Sequence, residues 1–213
     1  MRELLMLAKD FSISMALVDY IPVILFGWAV VILIKTLGSK MNKAQFALFS
    51  AGTINVFSAG FLKATYKLLY ASGACDFQAL NNMFFPVQSI GFLLVGAGII
   101  WFVVDKFAHK KRLNSAVPPV FSGTFVFVGL MCTGLLLLDV ALCIISKKLK
   151  KNWVIILFIL SFVCSLGMGY LSSQDFEKAS MNWIAECVNI VGQGSLLLGV
   201  IFLKKAGLEE LEC

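Results

Sequence analysis

The chain is 213 residues long, 60% hydrophobic and only 14% charged, with a formal net charge of +6. Soluble domains carry about 25% charged and roughly 45–50% apolar residues, so this composition excludes an ordinary soluble globule. The basic residues sit between apolar runs and are not interleaved with aromatics on a soluble face; this excludes a nucleic-acid binder and places the charge beside phospholipid headgroups.

The apolar runs are continuous and repeatedly reach the roughly 20 residues that a helix needs to cross a bilayer. They do not alternate in polarity, which argues against a β-barrel. Residues 1–12 read as an interfacial segment, with Leu4, Leu5, Met6, Leu7 and Phe11 around Lys9 and Asp10. It is not read as a signal peptide, because the run that follows is long and no small-residue cleavage site closes it. A first span is predicted over 14–35, with Asp19 and Pro22 near its start and Asp19 read as solvated at the interface. A second span covers 44–70 and is crowded with small and polar residues, among them Asn55. Lys63 and Lys67 lie one turn apart toward its end. They either snorkel to the headgroups or guard the mouth of a cavity. A third span covers 77–104 and holds Asn81, Asn82, Gln88 and Ser89, with Pro86 expected to kink it.

The basic stretch Asp105–Arg112 and the pair Pro118–Pro119 divide the chain. A fourth span over 120–146 contains Asp139, and a fifth over 153–171 contains Ser161, Ser165, Gly167 and Gly169. The sixth, over 178–203, is long enough to cross a bilayer, yet one side of it is polar. Asn182, Glu186, Asn189 and Gln193 fall on a single helical stripe. Such groups cost several kcal/mol in hydrocarbon, so the stripe must face protein or water. The acidic tail, 206–213, reads as solvated.

The fold expected is an all-α membrane protein, a bundle of six transmembrane helices in the cell or plasma membrane. Short echoes between the halves suggest a three-helix unit used twice, over 13–113 and 114–205: DFQALNNM opens the third span and DFEKASMNW the sixth. Because three is odd, the second unit is expected upside down, an inverted-topology repeat. The turn lysines are then nearly balanced between the two faces and give no firm vote on orientation, although the longer DKFAHKKR stretch favours its own side as cytoplasmic.

Depth counting places Asp139 and Glu186 near the midplane, with Asn55, Gln88, Ser89, Asn189 and Gln193 at similar levels. Together with Asn182 these are the candidate residues of a site for a small polar solute or cation, Glu186 and Asp139 being central because intramembrane acids are expensive. The alternative is a seam of interhelical hydrogen bonds, with the acids protonated or paired with Lys63, in a non-transporting accessory or sensor subunit. A lipid-modifying enzyme is a more distant reading: no P-loop, HExxH, GxSxG or Cys/His pairing is present, and no catalytic residue is assigned. The six cysteines include no CxxC pair, and His109 is the only histidine, so no metal or other cofactor is expected. The partners expected are membrane lipids and the solute, with a second copy or another membrane subunit left open.

Overall fold

The computed structural model describes residues 12–107, 124–171 and 179–211. All regular structure among them is helical: α1 Ile13–Val18, α2 Tyr20–Leu37, α3 Lys43–Ala71, α4 Gln78–Asn82, α5 Phe84–Phe107, α6 Thr124–Lys148, α7 Ile155–Leu171 and α8 Ala179–Lys205. Five segments are long and apolar enough to cross a membrane: Ile13–Lys40, Lys43–Ala71, Gln78–Phe107, Val126–Lys148 and Ser180–Lys205. A sixth apolar helix, Asn152–Met168, is shorter. The outward faces carry exposed large hydrophobics such as Ile24, Trp28, Ile54, Ile156 and Val163. Lys67, Asp139 and Glu186 are instead buried. Polar groups inside and apolar groups outside is the distribution that a lipid solvent imposes.

Local chemistry sets the helix ends. Asn42 caps α3 in a capping box with Gln45, each side chain accepting from the other residue's backbone N–H. Pro22 and Pro86 both fall in first turns, where the missing N–H has no intrahelical partner to lose. The expected kink at Pro86 is therefore a break just before it, at Met83, between α4 and α5. A smaller interruption falls at Asp19, which keeps helical torsion angles (φ −56°, ψ −24°) between α1 and α2. The tail departs from expectation. Leu208 and Leu211 are buried, and Leu211 O accepts a 2.8 Å hydrogen bond from Lys40 Nζ, so apolar burial overrides the tail's acidic composition.

The six long helices form a closed ring in the order α2, α3, α5, α6, α7, α8, with α8 returning to α2. Close contacts fix the direction of each helix. Gly27 meets Phe57 and Gly60 meets Val23, so α2 and α3 are antiparallel. Gly52 meets Gly91–Val95 and Gly98 meets Phe49, so α3 and α5 are antiparallel. Across the next interface Gly134 meets Phe92, Leu137 meets Gly96, and Lys148 Nζ lies 5.1 Å from the Phe107 ring, so α5 and α6 run parallel. The backbone of Lys151 then donates to Ser146 O at 2.9 Å and turns the chain into α7. Gly192 meets Cys164, and Trp153 meets Phe202 at 4.7 Å, which makes α7 and α8 antiparallel.

The expectation of inverted topology is not met. The triplets α2–α3–α5 and α6–α7–α8 run in the same sense, because Phe107 and Thr124 lie at opposite ends of the bundle. Residues 108–123, which join them, lie outside the described residues. One packing pattern occurs in both triplets. Gly91 and Gly98 of α5 receive Val56 and Phe49 of α3, while Gly192 and Gly199 of α8 receive Cys164 and Phe158 of α7.

Call the end at which α2 begins the near end and the other the far end. The far half is solid, filled by Leu33, Phe49, Ile99, Phe102, Ile145, Phe158 and Leu203. The far end also holds every described lysine except Lys63 and Lys67: Lys35, Lys40, Lys43, Lys106, Lys147, Lys148, Lys150, Lys151, Lys204 and Lys205. The balance of turn charges expected for inverted units is therefore replaced by a strong asymmetry.

The parallel α5–α6 contact is the tightest in the ring. A Cβ on Gly134 would lie 2.3 Å from the carbonyl carbon and oxygen of Phe92, whereas one on Gly194 would meet nothing within 4 Å. Gly134→Ala is expected to destabilise the detergent-solubilised protein by about 1–3 kcal/mol, as overpacking does, and to lower its melting temperature. Gly194→Ala should leave that temperature unchanged.

Candidate functional site

In the near half of the ring the side chains do not meet across the axis. They leave a half-open cavity of ≈ 360 Å³ walled by residues of all six long helices. Its floor is apolar: Phe26, Val56, Phe92 and Leu135 line the cavity and also belong to the core beneath it. Phe26 and Phe92 close on each other edge to face, with ring centroids 5.8 Å apart.

The charged residues on the wall are Asp19, Lys63, Lys67 and Glu186. Lys67 Nζ sits 2.5 Å from Asp19 Oδ2 and 3.2 Å from Glu186 Oε1, and all three side chains are less than a tenth exposed. One cation thus ties together the α1–α2 junction, α3 and α8. Desolvating three charges is expensive, and only their mutual attraction at close range offsets that cost. Lys63 lies one turn before Lys67 on α3, with its Nζ 3.8 Å from the centroid of the Phe84 ring and 5.8 Å from that of Phe85.

Five of the candidate residues lie on this wall: Gln88 from α5, and Asn182, Glu186, Asn189 and Gln193 from the α8 stripe. Gln193 Oε1 and Glu186 Oε2 are buried with no hydrogen-bond partner. The stripe faces inward, as its cost in lipid requires.

Three candidates lie elsewhere. Ser89 is buried and donates to Pro86 O at 3.1 Å, so its hydroxyl is taken up by the turn the proline opens. Asn55 packs against Gly91 at the α3–α5 contact, because the glycine lets the two backbones approach. Asp139 is 4% exposed and neither carboxyl oxygen has a hydrogen-bond partner, but it is not on the cavity wall. It falls one turn beyond Leu135, the last α6 residue on the wall, and so lies below the floor. The single belt expected from depth counting is therefore two levels, with Glu186 in the cavity and Asp139 in the packed half.

Sequence reading missed Asp19 and Asn81 as wall residues, and it left Lys63 and Lys67 between two readings. A usable signal was present. Asp19 and Lys63 lie at nearly the same count from the Gly38–Asn42 turn, so an antiparallel α2–α3 pair brings an acid and a lysine to one depth. The buried hydroxyls of Thr36, Thr53 and Ser146 bond to carbonyls three or four residues back in their own helices, which marks them as structural. Among the described residues no group of His, Cys, Asp and Glu has the spacing to hold a metal. The described cysteines are free. Comparison of the chain with protein-family models, with curated proteins and with solved structures finds no match in any of the three.

Removing the central cation isolates the consequence of this geometry. Lys67→Met leaves two buried carboxylates facing each other and is expected to cost on the order of 3–5 kcal/mol in unfolding experiments. The uncharged set Asp19→Asn, Lys67→Met and Glu186→Gln should recover most of that loss, since it removes the charges together.

Proposed function

We propose that the chain is a small integral membrane carrier for a small polar solute, which binds in the cavity beside Glu186. One observation carries this reading: a cavity with four charged residues on its wall occupies the near half of the bundle and stops on an apolar floor above a solid half. A pore would run through; a half-cavity over a plug fits a carrier with one side open at a time. Intramembrane charge is costly to keep, and here it is gathered on the wall of an accessible space. The recurrent Gly91/Gly98 and Gly192/Gly199 packing supports a parallel three-plus-three repeat. Two like-oriented triplets meeting at α5–α6 and α2–α8 provide two bodies that can rock about the cavity.

The lysine asymmetry supports an orientation. Lysine and arginine concentrate on the cytoplasmic side of membrane proteins, which assigns the far end to the cytoplasm and the cavity to the outer face. Cys75 is exposed in the turn before α4, at the near end. In intact cells a membrane-impermeant maleimide should label Cys75 in a variant whose other cysteines are serine. In the same background with Cys75→Ser, a cysteine at Lys151→Cys should be labelled only after permeabilisation. The reverse pattern would turn the orientation over.

Transport itself is tested with purified protein in proteoliposomes, using radiolabelled carboxylates, amino acids, polyols and monovalent cations. At least one class should accumulate above protein-free vesicles, and Glu186→Gln should lower that rate roughly tenfold, about 1.4 kcal/mol of site function. If a solute binds the purified chain but none crosses, a receptor or sensor is the better description.

A further inference from the structure

We propose that the cavity's occupant is a small organic anion with an apolar body, its acid group held by Lys63. This rests on the carrier reading and adds the class of solute to it.

The different placement of the two wall lysines points there. The described wall holds two acids and two lysines. Lys67 is shared between both acids, at 2.5 Å from Asp19 and 3.2 Å from Glu186. Lys63 has no carboxylate within salt-bridge distance among the described residues; its Nζ rests on the Phe84 ring at 3.8 Å instead. A ring face attracts a cation but does not neutralise it, so the ammonium still has hydrogens to give. An incoming carboxylate would find a donor there, while Asp19 and Glu186 are both engaged by Lys67 and leave Lys63 without a carboxylate of its own. An incoming cation would be repelled by Lys63, and would have to compete with Lys67 for Asp19 and Glu186. The walls supply the remaining recognition. Phe57, Phe85, Met131 and Met168 offer apolar surface, and Asn189 and Gln193 offer amides on the opposite side.

A phosphate of an anionic lipid has the same charge as a soluble acid, so the test must separate the two. The probes are four-carbon compounds with one body and different heads: butyrate, butane-1-sulfonate, butylamine and butanol. Each is titrated against the full chain in phosphatidylcholine nanodiscs, with binding read by calorimetry and by the shift in melting temperature. Butyrate and butanesulfonate should bind more tightly than butylamine and butanol. Lys63→Gln should weaken them roughly tenfold to a hundredfold, as expected for the loss of a hydrogen bond to a charged group, while Lys63→Arg keeps most of the affinity. The melting temperature of unliganded Lys63→Gln confirms that the variant is folded.

Equal binding of the amine or the alcohol, anion binding unchanged in Lys63→Gln, or no binding by any probe would overturn the assignment. Stabilisation by phosphatidylglycerol in the nanodisc that depends on Lys63 and blocks butyrate would overturn the soluble acid in favour of a lipid headgroup. Failure of the carrier reading looks different: the anions bind through Lys63 but do not cross proteoliposomes. Failure of the anion assignment alone would be Lys63-independent flux of another solute class.

Discussion

Lys67 between Asp19 and Glu186 is the interaction on which the rest of the near half depends. It is the one ion-paired junction where α2, α3 and α8 meet, so it links the first triplet to the last helix of the second. Without that cation the two carboxylates would face each other across a poorly hydrated space, and the near end of α8 would lose its ion-paired tie to the α1–α2 junction. With it, the polar side of α8 is fixed toward the axis. The amides of Asn189 and Gln193 follow, being on the same helical stripe. An ion pair of this kind adds little net stability over a greasy contact, but it fixes which faces meet.

The far half achieves the same end by different means. There the glycines of α3, α5 and α8 let backbones and aromatic rings close in, and Phe49, Phe102 and Phe158 fill the axis. In a bilayer there is no hydrophobic drive to bring helices together, so close packing and interhelical polar contacts must supply it. The molecule divides these two sources between its ends: packing at the lysine-rich end, charge pairing at the other. Among the described residues, that division accompanies an axial cavity in the charge-paired half.

Much of this was legible in the amino-acid sequence. Run lengths gave the spans to within a few residues, and the spacing of Asn182, Glu186, Asn189 and Gln193 predicted which face of α8 turns inward. Single-helix periodicity carries that information because it is local. Asp139 was misplaced because depth along a helix says nothing about which neighbour the residue faces, and α6 buries it away from the cavity wall. Asp19 was taken as solvated because its partner, Lys67, is supplied by another helix. The direction of the second triplet was missed for a similar reason. An odd number of spans implies inversion only if each is joined by a short turn, and the Phe107 and Thr124 ends show that one connection links opposite ends of the ring.

That shared direction has a consequence for how such a chain could arise. Units that face opposite ways descend from an ancestor able to enter the membrane both ways up, with few charges to bias it. Units that face the same way make no such demand. With the described lysines gathered at one end of both triplets, the same charge bias acts on each, and neither has to enter a bilayer against it.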